Sequence, residues 1–148
     1  MKPVVTLVLV ADDRAARFLV NEGVGKGLHQ VSNRVGGDSP EMAAEFADRG
    51  GRGQAAPGAA RHGMAPRTTV EDQRRDAFAA DLIDALAAEA MRAGADRLIV
   101  AAPAGMLGAL RAGMPPALAA KVAADLPKDL THVAVADLPD HLAEVAAF

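Results

Sequence analysis

Five aspartates stand where a two-cation site could form. Asp12 and Asp13 end an apolar run, while Asp72, Asp76 and Asp81 recur along a helical stretch. Carboxylates so placed can hold two cations that clamp the attacking and leaving oxygens of a phosphodiester, which is nuclease chemistry. However, the apolar run Arg97–Ala102 ends in Ala101-Ala102-Pro103, where a further ligand would be wanted. The competing reading gives Asp12 and Asp13 to a turn and the other three to a solvated helix face, and it is the stronger one. His29, His62, His132 and His141 are scattered, without the i+3 or i+4 partner that a metal site on a helix uses. His132 and His141 read as surface or capping residues, so no metal and no cofactor is expected. Cys is absent, which removes a thiolate nucleophile, a zinc-thiolate site and a disulfide scaffold. Ser occurs only at Ser32 and Ser39, and no nucleophile elbow surrounds either. Gly23-Val24-Gly25-Lys26-Gly27 lacks the spacing and the following helix of a phosphate-binding loop, and reads as a hairpin turn.

A different chemistry is offered between residues 36 and 68, which hold seven of the fourteen Gly and three of the nine Pro. Within this stretch Arg49–Arg67 carries four Arg and His62 and no acidic residue. The chain as a whole is acidic, with sixteen basic and nineteen acidic residues, so this positive stretch stands against the general balance. Arginine contacts phosphate, and glycine lets a backbone approach RNA closely. Trp and Tyr are absent and there are only four Phe, which argues against a base-stacking platform. The plainer reading is a flexible, soluble insertion whose arginines contact nothing specific.

These residues need a scaffold, and the pattern supplies one. The length of 148 residues suits a single domain over 1–148, with 36–68 as a flexible Gly/Arg-rich loop within it. Pro3–Ala11 is continuously apolar and β-branched, as in a central strand covered on both faces. It meets Asp12 and Asp13 rather than a small-residue cleavage site, so it reads as a strand of a cytoplasmic protein and not as a secretory signal. Ala15–Asn21 and about Leu28–Arg34 follow across short turns, which makes the three strands antiparallel neighbours. Thr68-x-x-Glu71 reads as a capping box opening a helix over about 69–93, with Phe78, Leu82, Ile83, Leu86 and Ala90 as its apolar stripe and Gly94 as its stop. Arg97–Ala102 is a buried strand, which the helical crossover brings in parallel to an existing one. Pro103 opens a shorter helix to about Arg111, and Pro115-Pro116 starts another turn. Lys121–Leu126 reads as a fifth strand, and Asp137 as the cap of a final helix with the stripe Leu138, Leu142 and Val145. The fold class is therefore α/β, a ribonuclease-H-like mixed five-stranded sheet in the order β-β-β-α-β-α-β-α, with helices on its faces. No stretch approaches the roughly 20 apolar residues that cross a bilayer, so no membrane partner is expected.

The 35 alanines bear on this scaffold too. Alanine favours helix but buries little area, so the core must be built from few large side chains.

Four segments, in order, resemble the bacterial host attachment protein family: VLVADDRAARFLVNEG (8–23), DRGGRGQ…RH (48–62), LIVAAPAGMLGALR (98–111) and KDLTH (128–132). That family is similar in topology to the central domain of archaeal and eukaryotic class-1 peptide release factors. In those factors a loop between the third strand and the long helix carries a Gly-Gly-Gln tip, which helps water cleave peptidyl-tRNA. The corresponding loop here reads Gly50-Gly51-Arg52-Gly53-Gln54, with Arg52 where the tripeptide would have its first Gly. An arginine there crowds a site that tolerates almost no side chain. The resemblance thus implies an RNA-facing loop more directly than peptidyl-tRNA hydrolysis, and leans away from an enzyme. It implies a ribosome or tRNA as partner, with Arg49, Arg52, Arg61 and Arg67 on phosphates and Gly53 and Gln54 at the tip. Arg74 and Arg75 would extend the basic surface. Two other functions stay open: a protein without nucleic-acid contact that acts indirectly in attachment to host cells, and a hydrolase of peptidyl-tRNA or RNA in which Gln54 is catalytic.

Overall fold

The computed structural model describes residues 2–36 and 69–148. At its centre is a mixed sheet of β1 (Thr6–Ala11), β2 (Ala15–Asn21), β3 (His29–Val35), β4 (Arg97–Ala101) and β5 (Val122–Leu126). The strands lie in the order β3-β2-β1-β4-β5. The pairs β1–β2 and β2–β3 are antiparallel, whereas β1–β4 and β4–β5 are parallel. This is the ribonuclease-H-like arrangement that the sequence predicts. Tight turns leave the first three strands no other pairing, and a helical crossover returns the chain parallel to β1.

Among the described residues four helices follow: α1 (Val70–Ala93), α2 (Ala104–Gly113), α3 (Pro116–Ala119) and α4 (Leu138–His141). The element order among the described residues is thus β-β-β-α-β-α-α-β-α, and the added α3 is the turn that Pro115-Pro116 foretells.

Several ends move from their predicted places. β1 begins at Thr6 and not at Pro3, because Pro3 has no N–H and Val5 turns its backbone to Asp96. The Val5 N–H donates to Asp96 Oδ2 at 2.9 Å, and its carbonyl accepts from the Asp96 N–H at 2.8 Å. The cap of α1 is Thr69, not Thr68. Thr69 Oγ1 accepts from the Asp72 N–H at 3.0 Å, and Asp72 Oδ2 accepts from the Thr69 N–H at 3.3 Å. The threonines are adjacent, and aspartate serves as the third-position acid as well as glutamate does. The other end of α1 is as read, with Gly94 in the left-handed region at φ 65°. Asp137 does not cap α4. It closes a 3₁₀ turn (Val135–Asp137) in a right-handed helical conformation and makes no capping bond, whereas a cap normally needs extended backbone.

Both faces of the sheet are buried at β1 and β4, which explains the unbroken apolar run of β1, whereas the edge strand β3 is largely exposed. Leu7, Leu9, Phe18, Leu98 and Val100 face α1 and α2. They meet the predicted stripe of α1, Phe78, Leu82, Ile83, Leu86 and Ala90, all of it buried, together with Met106, Leu107 and Leu110 of α2. A Cβ on Gly113 would come within 3.0 Å of Ile83 Cδ1, so α2 lies close on α1 there. On the opposite face Val8, Val10, Leu19, Ile99 and Ala101 are covered by the chain after β5, through Leu130, Leu138 and Leu142. Val145 packs there as a partly buried residue beyond the end of α4.

Candidate nucleic-acid interface

β3 runs antiparallel to β2 and therefore parallel to β1, so β1, β3, β4 and β5 all end at one edge of the sheet. The chain leaves β3 there at Gly36. A helix of 24 residues spans about 36 Å, and α1 must run back to the start of β4, so α1 also begins at that edge. Open α/β sheets present their ligand crevice at the carboxyl ends of the strands. Gly36 and Thr69 therefore both stand at the edge where this architecture places binding sites.

Gly36 is held by backbone. The Gly36 N–H donates to the Arg14 carbonyl at 2.6 Å, and a Cβ on Gly36 would lie 3.3 Å from that oxygen. The turn below is built by Asp12, whose Oδ1 accepts from the Arg14 and Ala15 N–H groups, each at 2.7 Å. Its other oxygen accepts from Thr131 Oγ1 at 3.2 Å. Asp12 is therefore a turn acid.

The remaining acids do not converge either. Asp72 is committed to the Thr69 cap and to Arg75 at 3.3 Å, Asp76 to Arg75 at 3.3 Å, and Asp81 to Arg34 of β3 at 3.1 Å. Ala101 and Ala102 are buried at the end of β4 and bring no ligand. Among the described residues no group of three His, Cys, Asp or Glu is placed to hold a metal ion. The two-cation reading therefore has no geometry behind it in the described residues. His29, His132 and His141 are exposed and apart, while His62 lies outside those residues.

Arg49, Arg52, Gly53, Gln54, Arg61 and Arg67 also lie outside the described residues. Of the flanking cations, Arg75 is less available than its place suggests. Its guanidinium carries both ion pairs to Asp72 and Asp76 and lies against Gly105 of α2, where a Cβ would come within 3.0 Å of Nη1. It fastens α1 to α2. Arg74 is half-buried and has a partner of its own. Sequence reasoning passed over Arg14, whose side chain is exposed beside Gly36 and makes no ion pair among the described residues. The signal was its place at the tip of the Asp12-Asp13-Arg14 turn, at the same sheet edge as Gly36.

The Gly-rich turn after β2 is likewise structural. Asn21 Nδ2 donates to the Gly27 carbonyl at 2.7 Å, and the Gly23 N–H donates to Asn21 Oδ1 at 3.1 Å. Gly23, Gly25 and Gly27 take the positive φ that such a turn demands.

A family model described as Bacterial archaeo-eukaryotic release factor family 12 matches residues 5–142. That span takes in all five strands, α1 to α4 and the segment between Gly36 and Thr69. A search of curated proteins gives no match.

Proposed function

Because the chain belongs to the bacterial archaeo-eukaryotic release factor family 12, we propose that it is a ribosome- or RNA-associated factor of one release-factor-like domain over 1–148, acting through a flexible loop at 36–68. The carrying observation is the run Arg49–Arg67, four arginines without an acid in a chain of net charge −3. Arg49, Arg52, Arg61 and Arg67 contact phosphate, and Gly53 and Gln54 form the tip. Low aromatic content fits contact with the RNA backbone rather than stacking on bases. Among the described residues no helix is long and apolar enough to cross a membrane, in keeping with such a partner.

Sedimentation with ribosomes through a sucrose gradient tests this reading. The wild-type chain co-sediments, and the variant with all four arginines changed to alanine does not. An unchanged ribosome-bound fraction in that variant sinks the proposal. Binding should also fall steeply with salt, since each phosphate contact releases a counterion.

The Gly53-Gln54 pair favours a second reading, hydrolysis of peptidyl-tRNA. Release of labelled peptide by the wild-type chain but not by Gln54→Ala establishes it, and no release removes it. An effect on attachment, the property for which the host attachment proteins are named, then follows indirectly through expression of surface components. Partners that are proteins only, and that survive ribonuclease, would replace RNA contact with protein binding.

A further inference from the structure

β5 is an edge strand, and its position beside Val100 on the α2 side is an aspartate, Asp125. A charge pointing inward at a sheet edge blocks edge-to-edge pairing. It also leaves unfilled the space that a large apolar residue would take. A half-open pocket of about 290 Å³ lies there, lined by Val100, Leu107, Leu110, Met114 and Val122, with the exposed Ala119 of α3 at its rim. Arg111 of α2 meets Asp125 at this pocket in a two-bonded pair, with Nε to Oδ2 at 2.8 Å and Nη2 to Oδ1 at 2.5 Å.

We propose that this pocket is a binding site for a small uncharged amphiphile, an aliphatic body with an amide or hydroxyl head. The walls select the body. They are aliphatic apart from one thioether, and methionine adapts to irregular guests. At a water's share of about 30 Å³ per small group, the volume holds about ten groups, room for about six carbons and a polar head. The ion pair selects the head, since Arg111 and Asp125 neutralise one another. A carboxylate placed there meets the Asp125 charge, and an ammonium meets Arg111. An amide or hydroxyl can donate to the one and accept from the other. The hydrogen bond to Asp125, and then its charge, raise the Arg111 pKa above its ordinary value, so Arg111 stays a cation at neutral pH. The proposal does not depend on the RNA reading.

Titration of the ¹³C-methyl-labelled full-length chain tests the proposal, with hexanamide, hexanoate and hexylammonium as probes. Hexanamide should give saturable shifts at the methyls of Leu107, Leu110 and Val122, with an affinity in roughly the millimolar range for so small a ligand. Both charged probes should bind at least about tenfold more weakly, equivalent to about 1.4 kcal/mol. Ala119→Met should fill the pocket and abolish the shifts. Arg111→Gln removes a cation at an exposed position and leaves Asp125 unpaired, so the preference should change to hexylammonium. No saturable shift, equal binding of hexanoate, shifts that survive Ala119→Met, or an unchanged preference in Arg111→Gln would each overturn it.

Discussion

The two faces of the central sheet bury side chains of the same kind but are closed by opposite means. On one, α1 and α2 lay down a stripe at helical spacing, and small residues at the α1–α2 contact let the helices approach. On the other, the chain after β5 has only a 3₁₀ turn and the four residues of α4, and polar bonds help to hold it. Arg17 of β2 donates through Nη1 to the carbonyls of Thr131 and Val133 at 3.2 and 2.5 Å, and Thr131 Oγ1 reaches Asp12. A helix satisfies its own backbone and needs only an apolar face to dock. An irregular segment has carbonyls to satisfy, and here an arginine from the strand beneath supplies donors. The bond from Thr131 to Asp12 also ties this cover to the turn that holds Gly36.

Graded substitutions would test that contrast. Phe78→Ala, on the helical face, should cost the most, about 3–5 kcal/mol in urea unfolding, because close-packed helices cannot collapse into the void. Leu142→Ala, on the other face, should fall near the low end of the 2–5 kcal/mol typical of buried leucine, since a segment of few regular elements relaxes more easily. Equal costs for Leu82→Ala and Leu142→Ala would erase the distinction. Arg17→Met should cost about 1–3 kcal/mol by stranding two carbonyls. Amide exchange should then accelerate in residues 127–148 before it does in β1, β4 or α1. Uniform acceleration would mean that both faces open as one unit. Thr69→Ala should cost about 1 kcal/mol, through loss of the cap alone. The smallest effect belongs to Glu144→Gln. Its pair with Lys128 is half exposed, and less than about 1 kcal/mol is expected from thermal unfolding.

The same contrast explains what could be read in advance. β2 stands at its predicted bounds, and the stripe of α1 is buried throughout, because bounding turn residues and a 3.6-residue period are local facts. The final helix was misjudged for the opposite reason. Leu138 and Leu142 are buried as the pattern requires, yet only the sheet beneath them and a preceding 3₁₀ turn decide that Asp137 is no cap. At the candidate interface, the composition of residues 49–67 was plain in the sequence. The turn duty of Asp12 was legible too, but the pairing of Asp81 and the seat of Arg75 against α2 were not, because Arg34 lies 47 residues from Asp81 and Gly105 stands on another helix.

The sequence by itself determined the main elements, the antiparallel pairing of the first three strands and the charge of residues 49–67, since each follows from residue type and from spacing along the chain. The partners of β4 and β5 came from the tertiary structure. Tertiary structure decided which aspartates are bound into caps and ion pairs. It also decided that Gly36 and Thr69 both stand at the carboxyl edge, and that a pocket opens beside Asp125. Those outcomes depend on which side chains meet across elements far apart in the chain, and periodicity carries no record of that.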